Sequence, residues 1–354
     1  NGYSNSWAQG GIGINKYGYQ ARWCTILKQD LGIEINFLNN DLAFVFDLFK
    51  EHRDKIFVSR NNLPLYAGFA VSASGNVGIV ENKGFEASFE YNHQFGKDWT
   101  VSLRGNFTMN EDEIIENAEP APAYPWLEKR GTNVLARFGY IAEGLYESEE
   151  EIKERNITQF GETYPGQLVK PGDIKYKDQN NDNVINEFDQ IPLGYNSSVP
   201  EIYYSFNIGA EWKGIGVNFD FQGVGNYTSW TTLNGLYRPL SNGNAISNYY
   251  YENRWTPETP NARYPRLTTE TVQNNTQSSS VWLVDGSFLK LRNCEVYYKL
   301  PHSVVNKWHL NSAKLYVRGV DLFCWDHIKE IDPESIGNGI PTTRSINIGL
   351  SVGF

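Results

Sequence analysis

A stretch of oxygen-bearing side chains is the part of this sequence best suited to bind something. Asp178, Asn180 and Asp182 stand at positions 1, 3 and 5 of a short segment, Val184 offers its carbonyl at 7, Asn186 follows at 9 and Asp189 at 12. A hard cation such as Ca²⁺ or Mg²⁺ needs several oxygens converging, and alternate residues of a tight loop supply them at this spacing. Asn183 stands at position 6, where glycine is usual, and Asn tolerates the left-handed backbone better than other side-chain-bearing residues. Ile185 at position 8 adds an apolar anchor. Asp189 is shorter than the usual bidentate Glu, and Pro192 blocks an exiting helix. The other reading is an Asp/Asn-rich turn whose carboxylates bond to backbone N–H groups. If a cation binds, its expected role is to stiffen a long loop rather than to catalyse.

Aromatic side chains form the second group. Sugar faces stack on rings and peptides use them too, so Tyr124, Trp126, Trp230, Tyr237 and Tyr250, within Tyr-rich loop segments, are candidate substrate contacts; packing or an interfacial girdle is the competing role. Enzyme signatures are missing. The histidines His52, His93, His302, His309 and His327 are scattered, no H-E-x-x-H or G-x-S-x-G occurs, and the acidic run near Glu149–Glu151 lacks the apolar setting that tunes a catalytic acid. Ser148, three residues before Glu151, instead predicts a capped surface helix.

The elements that must carry these loops show a period of two. Ile346, Ile348, Leu350, Val352 and the terminal Phe354 alternate with Ser345, Asn347, Gly349, Ser351 and Gly353. The same alternation runs through Ile202–Trp212, Phe85–Phe95, Trp99–Met109 and Val217–Phe221, whereas helical periodicity is nearly absent. Ten or so residues tilted in a bilayer span its hydrocarbon, and a lipid-embedded barrel is apolar outside and polar within. About ten strands are expected. Short polar turns at Asn39-Asn40-Asp41, Gly96-Lys97-Asp98 and Lys213-Gly214 close hairpins, with long segments near 117–200, 231–284 and 324–343 between them. Short turns on one side and long loops on the other are the plan of an outer-membrane barrel.

Composition sets further limits. Aromatics make up 14% of the 354 residues, with 22 Tyr and 10 Trp, and no run of 18 apolar residues exists, which excludes a helical membrane protein. A net charge of −10 argues against nucleic-acid phosphate as a partner. Cys24, Cys294 and Cys324 are odd in number and lack C-x-x-C spacing, so no disulfide framework is expected. The opening Asn1-Gly-Tyr-Ser, without an initiator Met or signal peptide, suggests that something upstream is removed or lies on another chain.

Several motifs resemble SusC/RagA-type TonB-dependent transporters of Bacteroidota. They are Pro171-Gly-Asp-Ile-Lys-Tyr-Lys-Asp through Ile191-Pro-Leu-Gly194, Arg254-Trp-Thr-Pro-Glu-Thr-Pro-Asn-Ala-Arg-Tyr-Pro-Arg266, Asp285-Gly-Ser-Phe-Leu-Lys-Leu-Arg-Asn293, and Leu315-Tyr-Val-Arg-Gly-Val-Asp-Leu-Phe323 followed by Asp332-Pro-Glu334, with Asn82-Lys-Gly-Phe-Glu86 as an earlier strand start. The resemblance covers essentially residues 1–354 and implies the C-terminal half of a 22-stranded barrel whose N-terminal plug and first half are elsewhere. It implies an outer membrane, Phe354 as the barrel-assembly terminus, and TonB-driven import of oligosaccharides or peptides. The implied partners are the remaining barrel and plug, a SusD-like surface lipoprotein, the TonB complex and outer-membrane lipid. Two alternatives remain open: a complete small barrel, and a soluble exported β-sandwich or jelly-roll carbohydrate-binding module with its apolar faces turned inward.

Overall fold

The structure is a computed structural model that describes residues 21–62, 74–161, 164, 167–196, 198–240, 243–270, 272–329, 331–336 and 340–354. Nine long strands form one antiparallel sheet: β1 (Thr25–Phe37), β2 (Leu42–Ser59), β3 (Ser74–Phe95), β4 (Trp99–Glu116), β5 (Ile202–Trp212), β6 (Ile215–Gly225), β7 (Phe288–Lys299), β8 (Ser312–Asp326) and β9 (Ser345–Gly353). Each pairs with its neighbour in chain order, a meander without crossovers. About ten strands were expected and nine lie among the described residues; the chain's opening, Asn1-Gly-Tyr-Ser, lies outside them.

Register keeps each face uniform. Phe37 pairs with Leu42, Leu42 with Tyr91, Tyr91 with Leu103, Leu103 with Ile208, Ile208 with Phe219 and Phe219 with Cys294. One residue over, Glu90, Arg104, Asn207, Asp220 and Asn293 form a polar row. A slip by one residue in any strand would exchange the two faces, which is why strict alternation fixes the pairing. The apolar face is open: Ile346 is 72% exposed and Ile348 82%. Among the described residues no second sheet covers it, which is opposite to what a β-sandwich requires.

Turns and long connections separate to opposite ends. At one end, Asn39 and Asn40 take left-handed φ values of 57° and 73°, Gly96 sits at 65°, and Lys213-Gly214 at 48° and 87°. The fourth connection at this end, 300–311, is not a tight turn. It holds the short helix His302–Val305, and Val305 is buried. Trp99 and Trp212 stack at 5.9 Å near these turns, and His93 lies between Tyr91 and Phe95 with its Nδ1 2.6 Å from Asp41 Oδ2.

At the other end the connections 117–201 and 226–287 fold together, and the hydrophobic core lies there rather than in the sheet. Tyr140, Phe160, Ile174, Tyr176, Ile185, Trp230, Tyr250, Tyr264 and Trp282 are its buried centre. Small strands knit the loops: Ala142–Leu145 pairs with Ile174–Tyr176, Thr158–Gln159 runs parallel to Val184–Ile185, and Arg137–Gly139 pairs with Ile191–Leu193. Strand β6 stops at Gly225; Thr228–Trp230 turns away and pairs with Leu283–Asp285. Helix α1 (Glu149–Arg155) begins where Ser148 accepts the Glu151 N–H, while the Glu151 carboxylate reaches back to the Glu147 N–H rather than to Ser148.

Candidate functional site

The 178–189 loop is held by its own side chains. Asp178 accepts the backbone N–H groups of Asp182 (3.2 Å) and Asn183 (2.7 Å), Asp182 accepts that of Val184 (2.8 Å), and Asn180 accepts that of Asp182 (3.1 Å). Asn181 and Asn183 adopt left-handed φ of 59° and 64°, which Asn tolerates because its short side chain bonds locally. Asp189 is buried and gives both oxygens to backbone N–H groups, of Gln179 at 2.8 Å and Asn186 at 2.9 Å, the latter closing a capping box. Burial pushes its carboxyl above the ordinary value. Instead of a helix, a single 3-10 turn at Glu187–Asp189 leads into the Ile191–Leu193 strand, as Pro192 requires. Among the described residues no three His, Cys, Asp or Glu side chains are arranged to hold a metal. Asp178, Asn180 and Asp182 are close together, whereas the Asp189 carboxylate is fully engaged with backbone.

The aromatic candidates divide into two settings. Tyr124 and Trp126 stack at 4.7 Å, half-buried beside this loop: the Asn180 amide donates to the Tyr124 hydroxyl at 3.2 Å and the Trp126 Nε1–H to the Phe188 carbonyl at 2.8 Å. Trp230 (8% exposed) and Tyr250 (2%) are inside the loop core. Tyr250 stacks on Tyr264 at 4.8 Å and donates to the Pro265 carbonyl at 3.0 Å; burial raises its phenol pKa well above the ordinary value. Tyr237 meets Trp282 edge-on at 5.2 Å and donates to the Thr276 carbonyl. Phe354 follows the last strand and is exposed.

Beneath the aromatic core runs a network of amides that periodicity gives no hint of. The Gln159 amide donates to the Ile174 carbonyl (2.8 Å) and the Asn274 side chain (2.7 Å) and accepts the Tyr176 N–H (2.9 Å). Asn275 accepts the Ile174 N–H at 3.0 Å and donates to Asp173 at 2.8 Å. Asp173, fully buried, also receives Arg266 Nε at 2.8 Å. A buried polar network of this kind is stabilising only when its members are satisfied. A second ionic cluster ties the sheet to the 327–344 connection. The Lys290 ammonium, 2% exposed, lies 2.7 Å from Asp332 and 2.6 Å from Glu334, and Arg292 joins Asp321 at 2.9 Å and Glu334. Burial opposes ionisation of Asp332, yet hydrogen bonds from Lys290, Thr342 and two backbone N–H groups outweigh it and hold the carboxyl well below the usual range.

The polar face of the sheet is concave and ionically paired over β5–β8. Glu211 binds Lys299 and the Tyr297 hydroxyl, both at 2.6 Å, and Glu295 binds Lys314 at 2.9 Å and Arg318 at 2.5 Å.

No family model matches the chain. A TonB-dependent receptor (P3) of Formosa agariphila is 27% identical over 94% of this chain and 33% of its own length. The TonB-dependent receptor SusC of Bacteroides thetaiotaomicron is 21% identical, again over 94% of this chain and 32% of the relative. A solved structure of the RagAB peptide transporter superposes with a TM-score of 0.66 at 21% identity, over 94% of this chain and 36% of that one. Over 94% of its length the chain is similar to TonB-dependent receptors of the SusC/RagA type. It spans about one third of the length of the curated relatives it matches. The nine-stranded sheet is a portion of a transmembrane-type antiparallel β-barrel wall, with one open apolar face and paired charges on the other.

The SusC/RagA-type motifs acquire physical roles in this arrangement. Asp173 of the first motif is the partner of Arg266 at the end of the second. Lys290 and Arg292 of the third are the partners of Asp332 and Glu334 in the last. The motifs are therefore the fasteners of the loop module and of the loop that precedes β9.

Proposed function

We propose that this protein is an outer-membrane, TonB-dependent nutrient importer of a Gram-negative, Bacteroidota-like cell, acting on oligosaccharides or peptides with a SusD-like surface lipoprotein. The observation that carries this reading is the apolar face that continues across nine strands and stays uncovered. In water an apolar patch of that extent is a liability, whereas in a bilayer it is the required surface. The barrel wall is then scaffold, the knitted loop module at 117–201 and 226–287 stands at the mouth, and a plug carried by the rest of the barrel opens the path. The kinship to SusC and the RagAB fold supports the same reading. The residues contribute binding and gating rather than covalent chemistry. The test is uptake: cells lacking the gene are expected to lose a nutrient that wild-type cells import, and inactivation of TonB must abolish the same uptake. Uptake that survives loss of TonB refutes the reading.

A second reading concerns the 178–189 loop, where we propose a divalent cation, Ca²⁺ or Mg²⁺, held by Asp178, Asn180, Asp182 and the Val184 carbonyl, with Asp189 bracing the loop. The left-handed residues at positions 4 and 6 and the Asp178 bonds to two successive N–H groups support it. Calorimetric titration of the whole protein with Ca²⁺ should give a signal that Asp178→Asn removes. No signal in the wild type leaves the loop as the self-bonded turn.

A further inference from the structure

On the apolar face of β1–β4 the hydrophobic rows stop abruptly toward the loop end. Leu31, Leu48, Phe85 and Met109 pair into the last apolar row, and the next row on the same face is Gln29, Lys50, Lys83 and Glu111. About ten residue steps separate Met109 from Trp99, which pairs with Phe95 and Trp212 at the turn end. At about 3.3 Å per residue and a tilt near 40°, that stretch covers about 25 Å of depth, the height of the apolar band of an outer-membrane barrel. Lys50 and Lys83 therefore stand at headgroup level. A trough of about 480 Å³ is lined by both rows, so that one wall is apolar and the other charged.

Lys50 and Lys83 face each other directly across the β2–β3 pair. Like charges so placed repel each other unless an anion comes between them. Carboxylates are close by: Glu81 is 2.9 Å from Lys50 and 3.0 Å from His52, Glu111 is 3.5 Å from Lys83, and Glu113 faces Glu81 across the β3–β4 pair. The lysine side chains are nevertheless 48% and 58% exposed, and ion pairs in such a setting hold only weakly, so both ammonium groups can turn to a phosphate.

We propose that this trough seats a lipid with a phosphoethanolamine headgroup, in the leaflet that meets the long loops. The proposal rests on the outer-membrane reading above and gives that barrel a specific lipid partner. The phosphate sits between Lys50 and Lys83 in charge-assisted contact. The headgroup ammonium turns to Glu111, and an acyl chain runs down over Leu48, Phe85 and Met109. A headgroup bearing phosphate alone would bring uncompensated negative charge against Glu81, Glu111 and Glu113. A choline headgroup has no N–H to donate to those carboxylates.

The experiment is native mass spectrometry of the complete protein in detergent, offered an equimolar mixture of phosphatidylethanolamine, phosphatidylglycerol and phosphatidylcholine. Phosphatidylethanolamine is expected to be retained roughly fivefold over either of the others. Lys50→Gln combined with Lys83→Gln should lower its retention by a similar factor. Glu111→Gln should keep lipid bound and erase the preference over phosphatidylcholine, a change that a purely structural role for this carboxylate would not produce. All three side chains are exposed, and heat-modifiable migration checks that each variant is folded. Equal retention of the three lipids by the wild type, stronger retention of phosphatidylglycerol, or an unchanged preference in the folded variants overturns the proposal. TonB-dependent uptake measured in parallel separates the two claims. Intact uptake without headgroup preference sinks the lipid site and spares the importer, whereas headgroup preference with TonB-independent uptake does the reverse.

Discussion

Asp173 and Arg266, 93 residues apart in the chain, meet in an ion pair of 2.8 Å with the carboxylate fully buried. The pair joins two loops that share no sheet pairing with the wall, and Asn275 and the Lys170 N–H complete the carboxylate's partners at 2.8 and 2.9 Å. Breaking a buried pair by removing one partner leaves an uncompensated charge, at a cost of about 3–5 kcal/mol. Arg266→Met is therefore expected to loosen the module while sparing the sheet. Hydrogen exchange should accelerate over 170–176 and 273–276 and stay unchanged in β5 and β6.

Asp332 carries a pH dependence with a definite sign. Its folded carboxyl titrates well below the ordinary value, which in an unfolded chain is about 3.9. The stabilisation from Lys290 and Thr342 is thus complete above roughly pH 5, and it is lost as pH falls below roughly 4 toward the folded value. Amide protection factors over 331–336, which divide out the slowing of intrinsic exchange in acid, should fall on acidification from pH 6 to pH 3. In Asp332→Asn they should already be low at pH 6 and change little.

The two faces of β4 and β3 should respond oppositely to charge. Leu103 lies in the apolar row and Ser88 one residue off it, on the polar face. Leu103→Arg should cost about 2–4 kcal/mol in vesicle-embedded protein, as charge on a lipid face does near mid-bilayer. Ser88→Arg should cost under about 1 kcal/mol, because lumen-side substitutions leave bilayer contacts alone. Urea titration of the protein folded into phosphatidylcholine vesicles reads both.

The sheet was legible because one physical rule, alternation against lipid and water, acts on every residue of a strand. Predicted hairpins at Asn39–Asp41, Gly96–Asp98 and Lys213–Gly214 stand where turn chemistry put them. The loop module was not legible, because its core has no period: Tyr140, Phe160, Tyr176 and Trp282 come from separate segments and meet only in three dimensions. That is also why Trp230 and Tyr250 read as candidate ligand contacts and lie buried among other rings. The ionic fasteners were visible as motifs without a visible reason, since Asp173 and Arg266, or Lys290 and Asp332, become partners only once the chain has folded.

The central claim, that the apolar face meets hydrocarbon and the opposite face meets water, is tested by adjacent residues of β5. Phe206 belongs to the apolar face and Ser205 to the polar one. A nitroxide placed at each position in turn, in the complete protein reconstituted in bilayers, reports collisions with oxygen, which concentrates in lipid, or with a water-soluble nickel chelate. The account predicts oxygen-dominated relaxation at 206 and nickel-dominated relaxation at 205. Equal nickel accessibility at both positions would contradict it.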